Sequence, residues 1–113
     1  MAYTTIDDPS AHFQTVLYTG DGSTHSITNT GNSDLQPDLI WIKERSSTSS
    51  HALFDSTRGV NKVLASDTTA AEDTSNAELM TAFNSDGFTV DDNNRTNQDP
   101  IAHVAWQWKA NGG

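Results

Sequence analysis

The chain has 113 residues, the size of a single domain, and 6 Lys and Arg stand against 15 Asp and Glu, which gives a formal net charge of −9. Without a basic stripe to neutralise phosphates, this charge argues against nucleic acid and against anionic membrane surfaces as partners. Cysteine is absent, which excludes disulfides and thiol chemistry.

Only 34% of the residues are hydrophobic, so we expect a thin core rich in aromatic side chains. The candidates for that core are Phe13, Tyr18, Trp41, Phe54, Phe83, Phe88, Trp106 and Trp108. The polar start of the chain lacks the features of a secretion signal, and no apolar run approaches membrane-spanning length. We therefore expect a protein that stays inside the cell or leaves without a signal, for example by release in a virus particle.

The first elements along the chain are a polar leader and a hairpin. Residues 1–10 include Pro9, which has no backbone donor, and we predict a leader that packs late or on a partner. Residues 13–18 are rich in β-formers and predict a strand. The glycine-flanked segment 19–23 predicts a turn into a second strand at 25–27, so these two strands are expected to pair.

The middle of the chain predicts three strands and an acidic loop. Residues 39–43 are apolar on both alternating faces, which is typical of a central strand buried on both sides. Residues 51–55 and 60–64 predict two further strands. Residues 65–77 predict a loop, and a helical turn at 70–72 is the alternative because Thr and Ser compete with helix formation by bonding locally.

The last third predicts a tight hairpin and a strand with one buried face. Residues 79–83 and 88–90 flank a short loop that ends in Gly87, where a positive φ is easily adopted. After a polar loop at 91–100, one face of the next strand carries Ala102, Val104, Trp106 and Trp108, and the other carries His103, Gln107 and Lys109. We predict that the tryptophan face is the core face.

The spacing of these elements predicts the fold class. About seven to nine short strands, with turns every 8–12 residues and no amphipathic helix, predict an all-β protein, an antiparallel β-sandwich or jelly roll. We expect one domain at 11–110, between the leader at 1–10 and a tail or linker at 111–113.

Residue types used in catalysis occur, but they form no recognisable set. Ser50, His51 and Asp55 are close in sequence, yet nothing resembles a nucleophile elbow, so no catalytic residue is assigned and no enzyme is expected. Arg58 is expected to form a local ion pair with Asp55. The histidines lack the spacings of a zinc site: His12, His25, His51 and His103.

Two features leave a binding role open. Asp91, Asp92 and Asp99 offer hard oxygen ligands on one loop, but without an EF-hand spacing a solvated loop is favoured; calcium is the alternative, and no other cofactor is expected. Trp106 and Trp108 could stack on sugar rings, although core packing is favoured.

Five segments, taken together and in order, resemble the domain of virion structural proteins, including tail-fibre or appendage proteins, of marine tailed bacteriophages, cyanophage-like ones among them. The similarity covers about residues 11–113. The segments are Tyr18-Thr-Gly-Asp-Gly-Ser23, Leu35-Gln-Pro-Asp-Leu-Ile-Trp-Ile-Lys43, His51-Ala-Leu-Phe-Asp-Ser56 with Arg58-Gly59, Thr81-Ala-Phe-Asn-Ser-Asp-Gly-Phe88 and Ala105-Trp-Gln-Trp-Lys-Ala110.

The resemblance implies a β-sandwich with a non-enzymatic structural or adhesion role in the virion. The first hypothesis is a module that binds other virion proteins as a homo-oligomer, with a trimer favoured if it belongs to a fibre. The rival is a carbohydrate-binding module that contacts host surface glycans through the loops 44–50 or 91–99 or through exposed aromatics. Exposed Trp41 or Trp108 beside polar groups would favour the rival. A glycan-cleaving enzyme ranks last because no pair of carboxylates is singled out.

Overall fold

The computed structural model describes residues 7–110, which form two antiparallel sheets, so the predicted all-β sandwich is confirmed. The predicted tail at 111–113 and residues 1–6 of the predicted leader lie outside the described residues. The strands are β1 Phe13–Thr19, β2 His25–Thr28, β3 Leu39–Glu44, β4 Ala52–Asp55, β5 Met80–Asn84, β6 Gly87–Val90 and β7 Ala102–Trp108. A 3-10 turn at Pro9–Ala11 precedes β1, and a short helix α1, Asn94–Asn97, precedes β7.

The four-stranded sheet has the order β1-β7-β3-β4, and the three-stranded sheet has the order β2-β6-β5. β1 and β2 therefore lie in different sheets, and the predicted hairpin between them is wrong. The segment between them crosses from one sheet to the other and is bonded to the segment that leads into β7. Gly20 N–H donates to the Ile101 carbonyl and Gly22 N–H to the Asn97 carbonyl, both at 2.9 Å.

The predicted strand at 39–43 is present, and its central place is confirmed because β3 pairs with both β7 and β4. The prediction that it is buried on both sides is wrong. Ile40 and Ile42 are completely buried, whereas Leu39 and Trp41, on the opposite face, are half-buried. Only one face of β3 therefore belongs to the core.

The predicted strand at 60–64 is wrong, since only isolated bridges pair Leu64 with Leu53 and Val63 with Asp73. A turn with positive φ at Asn61 precedes them and prevents an extended run. Residues 65–77 form a loop with one bridge and no helical turn at 70–72. The loop at 91–100 was predicted without regular structure, but it contains α1, which begins where the Asn93 side chain accepts a hydrogen bond from Arg95 N–H.

The predicted hairpin between 79–83 and 88–90 is confirmed as β5 and β6. Gly87, at the start of β6, has a φ of +140°, and a Cβ placed there would lie 1.9 Å from the Ile27 carbonyl oxygen. The turn therefore requires glycine both for its backbone conformation and for the close approach of β2.

The core lies between the two sheets. Its buried members are Val16, Ile27, Ile40, Ile42, Ala52, Phe54, Val63, Leu79, Met80, Phe88, Val90 and Ala105. Aliphatic residues outnumber aromatic ones in this set, so the predicted aromatic-rich core is only partly present. Of the eight aromatic candidates, Phe54 and Phe88 are fully buried, and Tyr18 and Phe83 pack at the edge of the core.

Buried polar residues continue the core-facing side of β7. Gln107 and Asn29 exchange side-chain hydrogen bonds at 2.6 and 3.2 Å. His103 stacks on Tyr18 with ring centroids 5.0 Å apart, is completely buried, and finds no hydrogen-bond partner for either ring nitrogen in the described part of the chain. Burial lowers the pKa of His103 below its ordinary 6.5, against the opposing effect of Glu44 on the neighbouring strand.

Gly87→Ala should lower the free energy of unfolding by about 3 kcal/mol or more, because the added Cβ meets backbone that cannot move aside. Gly59→Ala is the matched control: its φ is +99°, but nothing lies within 4 Å of the added Cβ, so only the backbone cost of about 1 kcal/mol applies. Urea unfolding followed by circular dichroism measures both. Equal losses would contradict the close approach of β2.

Acidification from pH 7 to about pH 5 should reduce the free energy of unfolding, because below 6.5 the unfolded chain protonates His103 while the folded chain, with its lowered pKa, does not. The charges acting on His103 are Glu44, which raises its pKa, and Lys43 and His25, which lower it. The contribution of His103 to the free energy of unfolding is therefore fully present above its pKa in the unfolded chain. It is lost as the pH falls towards the lower pKa of His103 in the folded chain.

The variant His103→Phe keeps a ring against Tyr18 and cannot titrate, so this part of the pH dependence should flatten. His12→Phe, at an exposed position, is the control and should keep the wild-type slope. Urea unfolding at several pH values measures the slopes, and an unchanged slope in His103→Phe would contradict the assignment. Losses below about pH 4 are separate, since they belong to carboxylates such as Asp55 and Asp73, whose pKa values are lowered from 3.8.

Candidate functional site

The acidic loop 91–99 is fixed in position by the side-chain amide of Asn97. Asn97, in α1 and completely buried, donates from Nδ2 to the Asp21 carboxylate at 2.9 Å and to the carbonyls of Ser23 and Asp91 at 2.7 and 3.0 Å. This amide joins the connection between β1 and β2 to the segment before β7. The order of the loop is therefore explained by hydrogen bonds within the chain.

The calcium candidates Asp91, Asp92 and Asp99 do not come together as a ligand set. Among residues 7–110, no group of three or more His, Cys, Asp or Glu side chains could hold a metal ion. The Asp91 carboxylate accepts a hydrogen bond from the Thr24 hydroxyl at 3.2 Å.

His51 and Asp55, whose residue types occur in catalytic triads, are hydrogen-bonded to other residues. Arg58 donates to the Asp55 carboxylate at 2.6 Å and to Glu72 at 2.9 Å, so the predicted local ion pair is confirmed. Burial acts to raise the pKa of Asp55, but the hydrogen bonds and charge of Arg58 outweigh it and hold that pKa below its ordinary value. His51 Nδ1 accepts a hydrogen bond from Trp41 Nε1 at 2.7 Å.

The predicted orientation of the last strand is reversed. In β7, His103, Ala105 and Gln107 are completely buried and face the core. On the opposite side of the sheet Val104 is also buried, whereas Trp106 and Trp108 are half-buried. The prediction of tryptophan core packing is therefore wrong. Alternation identified a strand with two different faces, but the assumption that the apolar face lies inside failed here.

The outward side of the four-stranded sheet carries a continuous set of apolar residues, named the aromatic face. Strand register places them side by side: Trp106 lies between Thr15 and Trp41, and Trp108 between Phe13 and Leu39. The members of the aromatic face are Phe13, Leu17, Leu39, Trp41, Leu53, Val104, Trp106 and Trp108.

Three indoles form the centre of the aromatic face. Trp41 and Trp106 meet edge to face with ring centroids 5.3 Å apart, and together with Trp108 they line a shallow depression of about 210 Å³ whose walls are apolar. The Trp41 indole N–H is used by His51. The depression therefore presents ring surface rather than hydrogen-bonding groups.

Phe13 and Leu17 extend the aromatic face to the edge strand β1. The Phe13 ring packs 5.1 Å from Trp108, and 39% of Phe13 and 58% of Leu17 are exposed. Sequence reasoning placed Phe13 among the core candidates and missed Leu17. Their exposure is informative because large apolar side chains clustered on a surface mark an interaction site.

The outer side of the three-stranded sheet is polar. Ser26 and Thr89 share a hydrogen bond between their hydroxyl oxygens at 3.0 Å, and Asn84 Nδ2 donates to Thr89 at 2.9 Å. The two outer surfaces of the sandwich therefore differ in chemistry, and the apolar one is the candidate functional site.

The charged side chain Lys43, on the same side as the indoles, is bonded to the carbonyls of Glu44 and Ser47.

Trp106→Ser should lower the free energy of unfolding by only about 1–2 kcal/mol, because the indole is partly buried and lies on the outward side of the sheet. Phe54→Ala, which empties a fully buried position on the inner face of the same sheet, should cost about 3–5 kcal/mol. Urea unfolding measures both. A loss for Trp106→Ser as large as that for Phe54→Ala would show that the indole is a core residue.

No described helix is long and apolar enough to cross a membrane. No curated protein and no solved structure matches the chain significantly. One family model, described as a domain of unknown function, DUF7483, matches residues 8–113. Because this match covers nearly the whole chain, the protein belongs to the DUF7483 family.

Proposed function

We propose that the domain is a non-enzymatic structural module of a bacteriophage virion, which attaches to another particle protein through the aromatic face. The observation that supports a binding role is the clustering of three half-buried tryptophans with the exposed Phe13 and Leu17 on one side of the sheet. Such a surface is costly to leave in contact with water, so its retention favours a partner that covers it.

The composition of the aromatic face is that of a protein-protein interface core. Tryptophan is enriched among residues that dominate binding energy, and charged residues are depleted at interface centres. The chain carries a net charge of −9, whereas the charged residues that the strand register places on this side of the sheet are Lys43 and Asp55, one of each sign. Electrostatic repulsion therefore opposes contact over much of the surface and is weakest here.

An apolar protein side chain fits the central depression better than a sugar does. Sugar hydroxyls lose hydrogen bonds with water on binding and need polar partners, but this depression is lined by Trp41, Trp106 and Trp108, and the Trp41 indole N–H is already occupied. The proposed partner therefore presents an apolar patch with at least one projecting aliphatic or aromatic side chain.

The assignment to a virion is supported by the resemblance of the ordered segments to virion structural proteins. Two of those segments, 35–43 and 105–110, contain all three tryptophans of the aromatic face. The features that carry the resemblance and the features that suggest binding thus coincide. Homo-oligomerisation, with a trimer in a fibre, remains a prediction.

The location is tested by mass spectrometry of purified virus particles that encode this chain. Trypsin should release residues 96–109, between Arg95 and Lys109, and this peptide should be present at several copies per particle. Its absence from particles, together with its presence in the infected cell, would contradict the virion role.

The role of the aromatic face is tested by binding to each structural protein of the same particle, purified singly. Intrinsic fluorescence reports binding directly, since all three tryptophans lie on this face. Trp106→Ser should weaken binding by tenfold or more, as expected for a central interface residue, whereas Thr28→Ala on the other sheet should not. Equal affinities of the two variants would contradict the proposed surface.

Carbohydrate binding is the second candidate, and one observation favours it: the half-buried indole of Trp41 lies beside the imidazole of His51. The same fluorescence titration with oligosaccharides of bacterial surface polymers tests it. Saturable binding that Trp106→Ser abolishes would favour a glycan-binding module over a protein-binding one.

A further inference from the structure

The sandwich has four sheet edges, and in the described part of the chain three of them are short or covered. The edge of β4 is bridged by Leu64, whose N–H and carbonyl bond to Leu53 at 3.2 and 2.9 Å. At the edge of β5, Asn61 N–H donates to the Met80 carbonyl at 3.1 Å, and a bulge interrupts the strand. The edge strand β2 has only four residues.

The fourth edge, along β1, is long and uncovered among residues 7–110. Its seven residues pair with β7 on one side only. His12 and Gly20 bond towards β7, so by alternation the N–H and carbonyl groups that point away from the sheet belong to Phe13, Thr15, Leu17 and Thr19. The side chains of these four residues lie on the outer, aromatic side.

β1 lacks the devices that usually protect an edge strand. Natural edges carry lysine, proline, bulges or a covering segment, which prevent pairing with other chains. The sequence of β1 is Phe-Gln-Thr-Val-Leu-Tyr-Thr, which contains no charge, no proline and no glycine. The backbone groups along this edge are therefore available to pair with another strand.

A second copy of the same strand fits this edge. The outward-pointing residues are arranged symmetrically about Val16, so an antiparallel copy related by a two-fold axis places Thr15 opposite Leu17 and Phe13 opposite Thr19, and each of these pairs can exchange two backbone hydrogen bonds. About eight bonds would form across the contact. The neutral strand also avoids the repulsion expected between chains that each carry a charge of −9.

We propose that the protein forms a two-fold dimer in which β1 pairs antiparallel with β1 of a second copy, joining the two four-stranded sheets into one. Leu17 then lies diagonally beside Phe13 and Leu17 of the second copy, which covers the most exposed large apolar side chain of the fold. The two aromatic faces become continuous across the axis. A closed ring built from sheet edges, such as the trimer expected for a fibre, is disfavoured because each copy would need a second open edge.

The first test compares the mass of the wild-type protein with that of two lysine variants by light scattering at several concentrations. Leu17→Lys places a charge on the β1 edge, and Thr28→Lys places the same charge at an exposed position on β2. The wild type and Thr28→Lys should have twice the mass of Leu17→Lys, with circular dichroism confirming that all three are folded. A monomeric wild type, or a mass that Leu17→Lys does not halve, would overturn the proposal.

The second test fixes the register. The chain has no cysteine, so Val16→Cys introduces a single thiol at the proposed axis, where the two Cα atoms of a non-hydrogen-bonded pair would lie about 4.5 Å apart, within disulfide range. Ile27→Cys, a buried apolar position on the inner side of the edge strand β2, is the control. Oxidation should link Val16→Cys into dimers and leave Ile27→Cys monomeric on denaturing gels. Equal cross-linking of both, or none in Val16→Cys, would overturn the two-fold pairing.

Discussion

The phase of β7, meaning which of its two faces points into the core, is the constraint on which the rest of the structure depends. This strand is hydrogen-bonded on both sides, to β1 over its whole length and to β3 over six residues, so its side chains determine both surfaces of the four-stranded sheet. His103, Ala105 and Gln107 face the core, and Trp106 and Trp108 face outward. Because side chains alternate along a strand, no other phase separates these two sets.

Polar partners on the inner side hold β7 in this phase. Gln107 is satisfied by Asn29, and the ring of His103 packs on Tyr18, whose hydroxyl donates to the Thr96 carbonyl at 2.7 Å. Shifting the strand by one residue would break these contacts and turn the indoles into the core, beside Ile40. A buried amide pair costs little when both members are bonded and much when one is not, so the bonds between Gln107 and Asn29 favour this phase.

Sequence alone predicted the features that local chemistry determines. The β5–β6 hairpin follows from a glycine turn between two apolar runs, and the strand positions of β1, β3, β4 and β7 follow from their composition. The pairing of β1 with β7, rather than β2, could not be predicted, because the contacts that redirect the chain come from Asn97 and Ile101, about 75 residues away. The segment at 60–64 failed because the turn at Asn61 is stabilised by bonds to Leu79 and Met80.

From the sequence, the tryptophan surface was only the disfavoured alternative to core packing, because periodicity shows which residues share a face but not which face is inside. One signal was available. β3 is apolar on both faces and is paired on both sides, so the strands beside it are also expected to carry apolar residues on both faces. A sandwich with only one core cannot bury two apolar faces of one sheet, so the surplus had to lie outside.

The proposed attachment surface and the proposed pairing edge meet at Phe13, which packs on Trp108 and also lies on the open edge. Two-fold pairing would therefore present two aromatic faces on the same side of one sheet. Two rigidly linked sites that engage one partner array bind more tightly than either alone, since the second contact is made at high effective concentration. This combination would suit the proposed virion module, whose net charge of −9 otherwise opposes contact between copies.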